Sequence, residues 1–474
     1  MNAAAQVRSD GLIKVISGER FTPFALAKKL DARVILESSS FKKGRERYSL
    51  LLVKEAFQLH QLPTRVVLYP AGNVTGEAGV PVPESDILEA AVRLAAEHPA
   101  IHQDVPFPAG GVGYLAYEFA RRCDSVEFLS KPDEIGVPEA LLIFGHIFVV
   151  FDHYTDIIYI IGLNYRGFEI DLEREVERTE ERINDLDFNY LAKQDGEYPA
   201  RITARTPGTE DFLEGVRLIR SEIERGNLLQ GVLSRRLTVE TGLPAIEAYK
   251  RLRSANPSPY LFYIDFGQFQ LFGASPEVHV KVKDGKAVLR PIAGTRRRGA
   301  DRAEDRYLEA DLLGDEKERA EHRMLIDLAR NDLGRIARPG TVKVTEMMGV
   351  EHYSHVMHIV SQTEAELDEG VTIPEVIRAT FPAGTVSGAP KIQAIRTIDT
   401  IEPVARSFYA GLVGYFEPEG NLDSCITIRS GLKRGNRLYL QAGAGIVYDS
   451  APERELEETA EKLRALACAV GLEV

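Results

Sequence analysis

Cysteine is scarce. Only Cys123, Cys425 and Cys468 occur in 474 residues. They form no metal spacing and no disulfide framework, so a reducing, cytoplasmic setting is expected. Positive charge is in deficit: Lys+Arg 58 against Asp+Glu 71 gives a net charge of −13. That argues against nucleic acid or an anionic membrane as the main partner. An anionic ligand must then be drawn by a local positive site, not by the overall field. Long apolar runs are missing. The nearest, Ala140 to Phe151, is interrupted by Gly145 and His146 and reads as buried strand. The start, Met1-Asn-Ala-Ala-Ala-Gln-Val-Arg8, lacks the apolar core of a signal peptide. There is no Gly-x-Ser-x-Gly, no Walker-type loop and no zinc-ligand spacing. Short repeats and low-complexity tracts are absent as well.

What is present is an ordinary globular composition, 44% hydrophobic and 27% charged, in a chain long enough for two cores. Thr22-Pro23 opens a helix to residue 30, and strands follow at 32–36 and 47–53. Residues 84–97 and 171–187 read as helices, and 140–151 with 156–163 as a hairpin. A polar stretch with scattered Pro and Gly lies near 192–208. The expected division is an N-terminal domain over 1–190, a linker over 191–205 and a second domain over 206–474. The second domain begins with a helix from Thr209, followed by a strand from Leu228. Strands then run to Leu289, Pro291–Arg296 is expected as a turn, and 302–335 as charged helix. Strands at 356–360, 410–416, 424–430 and 438–442 precede a closing acidic helix. The fold class is α+β, with large antiparallel sheets packed orthogonally as a sandwich with flanking helices.

The stretch Phe381 to Lys462 concentrates the chemistry. Its Gly-rich segments, Thr385-Val-Ser-Gly-Ala-Pro-Lys391 and Gly443-Ala444-Gly445, are expected as turns whose N–H groups approach an anion closely. Arg429 offers a fork suited to a carboxylate. Glu318/Glu321 and Glu455/Glu458 are Glu-x-x-Glu pairs, each leaving one helix face. One such pair on an acidic protein is usually a solvated face. Two pairs beside motifs of unusual residues suggest instead that a divalent cation bridges carboxylates to an anionic ligand. His358, alone in an apolar strand, is more often a satisfied core residue. Glu277, after Ser275-Pro276, has a surface carboxylate as its plain alternative. Glu37-Ser-Ser-Ser40 alone would be a polar loop.

Over roughly residues 206–470 the chain resembles the chorismate-utilising enzymes. The resemblance rests on Gln230-Gly-Val-Leu-Ser-Arg-Arg236, Gly273-Ala-Ser-Pro-Glu277, Pro291-Ile-Ala-Gly-Thr295, Glu321-His-Arg-Met-Leu-Ile-Asp-Leu-Ala-Arg-Asn-Asp332, the Thr385–Lys391 motif and Gln441-Ala-Gly-Ala-Gly445. The whole chain is similar to the anthranilate-forming members. Water-adding members carry a basic Lys where this chain has Gln230, and an amide cannot deprotonate water. Members making 4-amino-4-deoxychorismate typically carry a nucleophilic Lys where this chain has Ala293. Direct attack by ammonia at C2 of chorismate remains.

The resemblance implies Mg²⁺ held by Glu321 and Glu458, with Glu318 and Glu455 close by. It implies Glu277 as general acid on the C4 hydroxyl, which needs a raised pKa. It ties His358 to pyruvate elimination from 2-amino-2-deoxyisochorismate, with Thr385 lining the site. Gly294, Thr295, Tyr409, Arg429, Gly443, Ala444, Gly445 and Lys462 are the implied substrate contacts. Glu37, Ser38, Pro257, Ser258 and Pro259 match a pocket for L-tryptophan as feedback inhibitor of the first committed step of its own synthesis. No cysteine here sits in a glutaminase nucleophile elbow. The implied ammonia source is therefore a separate glutamine amidotransferase subunit, in a heterotetramer of two of each. Two alternatives stand beside this reading: an enzyme that stops at the amino-dihydro intermediate, and a silent tryptophan-binding subunit.

Overall fold

The computed structural model describes residues 6–8, 11–38, 47–73, 79–99, 105–185, 196, 198–353 and 356–472. The apolar run at 140–151 becomes the spine of the N-terminal half, as Ala140–Asp152, a strand buried along its whole length. A strand covered on both faces reads as a continuous apolar run because neither face meets water. One edge pairs antiparallel with Tyr48–Gln61. The other edge is shared between Val112–Leu115 and Ile157–Leu163. The helices form where their caps say they should. Thr22 accepts from the Ala25 N–H, Pro23 takes the first turn, and Asp31 ends Pro23–Leu30 at φ 53°. Asp86 and Asp171 cap Ile87–Ala96 and Leu172–Asn184.

In the C-terminal half, Gln230–Thr241 pairs antiparallel with Arg437–Ile446 and with Ala200–Thr206. The expected linker therefore ends in strand, and its residues 191–195 lie outside the described residues. Four expectations are corrected. Pro291–Arg296 is not a turn: Ile292–Arg297 is a strand paired with Val356–Glu366, with a register shift between Ala293 and Thr295. Gly294, at φ 66°, absorbs that bulge, which a side-chain-bearing residue resists. Gly443–Gly445 is likewise strand. The 424–430 segment splits into Leu422–Ile426 and Ser430–Arg434, with Arg429 at φ 51° between them. The charged helix at 302–335 divides at Asp315. This residue ends Arg302–Gly314, and its carboxylate accepts from the Lys317 and Glu318 N–H groups to start Glu316–Gly334.

The two halves share sheet and core. Val34–Glu37 pairs with Tyr260–Asp265, and Val112–Leu115 with Leu412–Phe416. Tyr114, Phe144, Phe266 and Phe416 pack in one cluster, where Tyr114 meets Phe266 edge-on at 5.4 Å. Truncating Tyr114 to Ala is expected to cost about 3–5 kcal/mol. Among the described residues no helix is long and apolar enough to cross a membrane.

Candidate active site

Glu277 sits at a break between Gln270–Ser275 and Val278–Lys283, where Pro276 has no N–H to continue a ladder. The break is pinned: Ser275 Oγ donates to the Ile426 carbonyl at 2.7 Å, and the Ile426 N–H donates to the Glu277 carbonyl at 3.0 Å. Glu277 is left 6% exposed, which removes the surface-carboxylate alternative. Burial pushes its carboxyl up to about 8, and the Thr385 hydroxyl, the Ile292 amide and the Lys462 charge pull it back only partly. At neutral pH it is a protonated acid.

His358 lies on Val356–Glu366, opposite Thr295. Its Nδ1 is 2.9 Å from the Gly294 carbonyl and 3.1 Å from Thr295 Oγ1. A carbonyl only accepts, so Nδ1 carries the hydrogen and Nε2 keeps its lone pair. Burial lowers the imidazole to about 4. The ring is therefore a neutral proton acceptor, and the bulge at Gly294 orients it. The strand Ile292–Arg297 thus serves both groups, with its Ile292 amide near Glu277 and its Gly294 carbonyl on His358.

Arg429, Tyr409 and Lys462 meet around the Gly443–Gly445 strand. Arg429 donates to the Lys462 carbonyl at 3.0 Å. Lys462 Nζ donates to the Gly443 carbonyl at 2.9 Å and pairs with Glu458 at 2.6 Å. Tyr409 is pushed up to about 12 by burial, and the Gly443 amide points at its oxygen. The glycines are required by close approach, not by turning. A Cβ at Gly443 would lie 2.8 Å from the Tyr409 hydroxyl, and one at Gly445 2.7 Å from Gln230 Nε2. Ala444 is buried between them.

The four glutamates come from two helices, Glu316–Gly334 and Pro452–Ala469. Glu321 accepts from Gln230 Nε2 at 2.8 Å, and Glu318 from Arg296 at 3.2 Å. Glu455 Oε2 is buried without a partner. Burial raises Glu321, and the charges of Glu318 and Glu458 raise it further. Burial, then Glu458, does the same to Glu455. Glu318 and Glu458 have cations in Arg296 and Lys462, whereas among the described residues Glu321 and Glu455 have none paired with them and feel the neighbouring carboxylates. Among the described residues no three His, Cys, Asp or Glu side chains are gathered closely enough to hold a metal as they stand. An under-compensated set of carboxylates with an orphaned oxygen is nonetheless the donor chemistry of a hard divalent cation.

The Val34–Glu37 and Tyr260–Asp265 pairing sets Glu37 opposite Leu261, bringing Ser38 toward Pro257–Pro259. Glu37 accepts from Tyr249 at 2.8 Å and meets Arg253 at 2.7 Å. Ser38 Oγ is buried without a partner, while Ser258 bonds the Asn256 carbonyl at 3.3 Å. Ser39 and Ser40 fall outside the described residues. Tyr249 and Arg253 come from a helix, Ala245–Ala255, that sequence reading missed. Its apolar spacing, Ala245, Ala248, Tyr249 and Leu252, could have found it. Also missed were Arg296, which joins Asp311, Asp315 and Glu318, and the buried Lys391–Asp332 pair at 2.8 Å. The second of these ties two of the quoted motifs together.

Residues 48–467 match the model of the chorismate binding enzymes. The chain is 57% identical to anthranilate synthase component 1 of Spirochaeta aurantia, covering 98% of this chain and 96% of that one. Its fold is similar to a crystal structure of anthranilate synthase component I from Streptococcus pneumoniae, with TM-score 0.79 and 34% identity over 89% of this chain and 92% of that one. A likeness in fold alone extends to a menaquinone-specific isochorismate synthase from Escherichia coli, with TM-score 0.71 and 20% identity over 97% of this chain and 94% of that one.

Proposed function

This chain belongs to the chorismate binding enzyme family, and we propose that within it the chain converts chorismate and ammonia to anthranilate and pyruvate. The observation that carries the reading is one strand, Ile292–Arg297, serving a protonated Glu277 and a neutral His358. Losing a hydroxyl from C4 needs an acid, and aromatising by loss of pyruvate needs a base. The two groups have those protonation states at neutral pH.

Each residue then has a task. Arg429, Lys462 and the Tyr409 hydroxyl bind the enolpyruvyl carboxylate, with Gly443, Ala444 and Gly445 letting it approach. Gly294 and Thr295 line the ring, and Thr385 stands beside the acid. Glu277 protonates the departing C4 hydroxyl. Ammonia adds at C2 as the double bonds shift, and Gln230, an amide held on Glu321, offers no base to a competing water. His358 Nε2 takes the C2 proton as pyruvate leaves. Glu321 and Glu458, with Glu318 and Glu455, would hold Mg²⁺, which when bound neutralises the ring carboxylate and orients it.

The reading extends to regulation and assembly. Ammonia comes from a glutamine amidotransferase subunit, with two copies of each chain in the complex. The reducing composition and the soluble family favour the cytoplasm. The name component 1 carried by the relatives supports the partner. L-tryptophan binds at Glu37, Ser38 and Pro257–Pro259 and inhibits. The test is anthranilate fluorescence beside a pyruvate assay, using purified chain, chorismate, Mg²⁺ and ammonium, with and without tryptophan. Equal anthranilate and pyruvate, both suppressed by tryptophan, are expected. An amino-dihydro product that persists without pyruvate would defeat the lyase step. No consumption of chorismate would defeat the whole reading.

A further inference from the structure

A cavity of about 40 Å³ adjoins Glu277. Part of its wall is apolar, built from Leu325, Leu328 and Ala329 of the helix Glu316–Gly334. Polar groups also line it, among them Glu277, His279, Asp332 and Thr380; Arg290 contributes a buried Nε without a hydrogen-bond partner, and the Thr385 hydroxyl lies against the Glu277 carboxyl. The Arg290 Nη2 is already committed, meeting Glu351 at 2.9 Å and Glu346 at 3.6 Å. A buried donor left unmade is costly, and one on a small cavity beside a carboxyl calls for an occupant. One water needs roughly 10–15 Å³ and two to four polar partners. This cavity exceeds that volume. It offers a donor in Arg290, a donor and acceptor in Thr385, and the Glu277 carboxyl. Ile292, whose amide is near Glu277, lies two residues from Arg290, so acid and cavity share one stretch of backbone.

We propose that the cavity holds an ordered water bonded to Glu277, Thr385 and Arg290 Nε, and that Glu277 regains its proton through this water after each turnover. The proton-return half rests on the reading of Glu277 as general acid, whereas the water itself does not. The account closes. Glu277 gives one proton to the C4 oxygen, which takes the C–O electron pair and departs as water. The carboxylate then accepts a proton from the cavity water, which is replenished from solvent. The added nitrogen releases one proton to solvent. Arg290, always charged, donates to the water and passes no proton itself, so it is a positioning residue.

Crystallography of the full chain at a resolution that shows ordered solvent, together with steady-state kinetics, tests this. The expected result is density for water within hydrogen-bonding distance of Glu277 and Arg290 Nε. Ala329→Val narrows the cavity, and Arg290→Met removes the Nε donor at similar length. Each is expected to lower kcat about tenfold, hold the chorismate KM within twofold and raise the solvent deuterium isotope effect on kcat. A purely structural role would not move the isotope effect. If Ala329→Val does not fold, Arg290→Met carries the kinetic test alone. A dry cavity overturns the proposal outright. Water present, with kcat and isotope effect unchanged in the variants, overturns proton return. If the unaltered chain forms no anthranilate, the catalytic reading and the relay fall together, while the density still decides the water.

Discussion

Glu37 and Glu277 are 5% and 6% exposed, each at or beside a strand end, and the chain treats them in opposite ways. Glu37 is met by a guanidinium at 2.7 Å and a tyrosine hydroxyl at 2.8 Å. Glu277 has no ion pair among the described residues, and burial pushes it up to about 8. A carboxyl taken out of water either finds a cation and stays charged or keeps its proton. The neighbours, not the residue type or the depth, decide which. The first arrangement is an ion pair with Arg253 supported by the Tyr249 hydroxyl. The second makes an acid ready at neutral pH.

The comparison can be broken most severely at the acid. Glu277→Gln is expected to lower kcat by about 10³-fold with little change in chorismate KM. Its stability should move the other way. Because the folded-state pKa of Glu277 is raised, its contribution falls as pH rises from the usual carboxyl range through about 8. The Gln variant should therefore melt a few degrees above the unaltered chain at pH 8, and calorimetry checks this. A lower Tm would contradict the burial of a neutral carboxyl. Next is Glu458→Gln, expected to reduce Mg²⁺-dependent turnover by at least about 100-fold with the fold intact by circular dichroism. Unchanged turnover would remove the metal assignment.

At the other carboxyl, Arg253→Met takes the guanidinium from Glu37 and should destabilise by roughly 3 kcal/mol in denaturant melts. Glu37→Leu added to it should recover most of that loss, because the buried carboxylate that lost its guanidinium is gone. Both variants should keep kcat without tryptophan and lose inhibition. The smallest effect belongs to Ser38→Ala, expected to weaken tryptophan binding by roughly tenfold if the orphaned hydroxyl bonds the ligand. The chain contains no tryptophan of its own, so ligand fluorescence reports binding directly.

Much of this was legible locally. Thr22-Pro23 marked a helix start because cap chemistry is short-ranged, and the 140–151 run marked a strand because burial on both faces leaves a continuous apolar signature. The site's residue types were legible through their motifs. What misled was glycine. At Gly294 and Gly443–Gly445 it read as turn, yet both segments are strand, because their partners, Val356–Glu366 and Gln230–Thr241, lie far along the chain. There glycine serves a bulge in one case and close approach in the other. The break at Asp315 was hidden inside a charged helical pattern, since a cap between two helices looks like one more acidic residue. Arg290, Arg253 and Tyr249 carried no motif. Their importance comes from what they face, and the pairing of Val34–Glu37 with Tyr260–Asp265 that brings two of them to Glu37 is non-local.

The most direct test of the central contrast is the protonation state of Glu277 itself. Infrared difference spectra between the unaltered chain and Glu277→Gln isolate that carboxyl across pH. The account predicts a protonated C=O stretch at pH 7 that disappears with a midpoint near 8. A carboxylate signal throughout pH 5–8 would contradict it and leave the C4 hydroxyl without its acid.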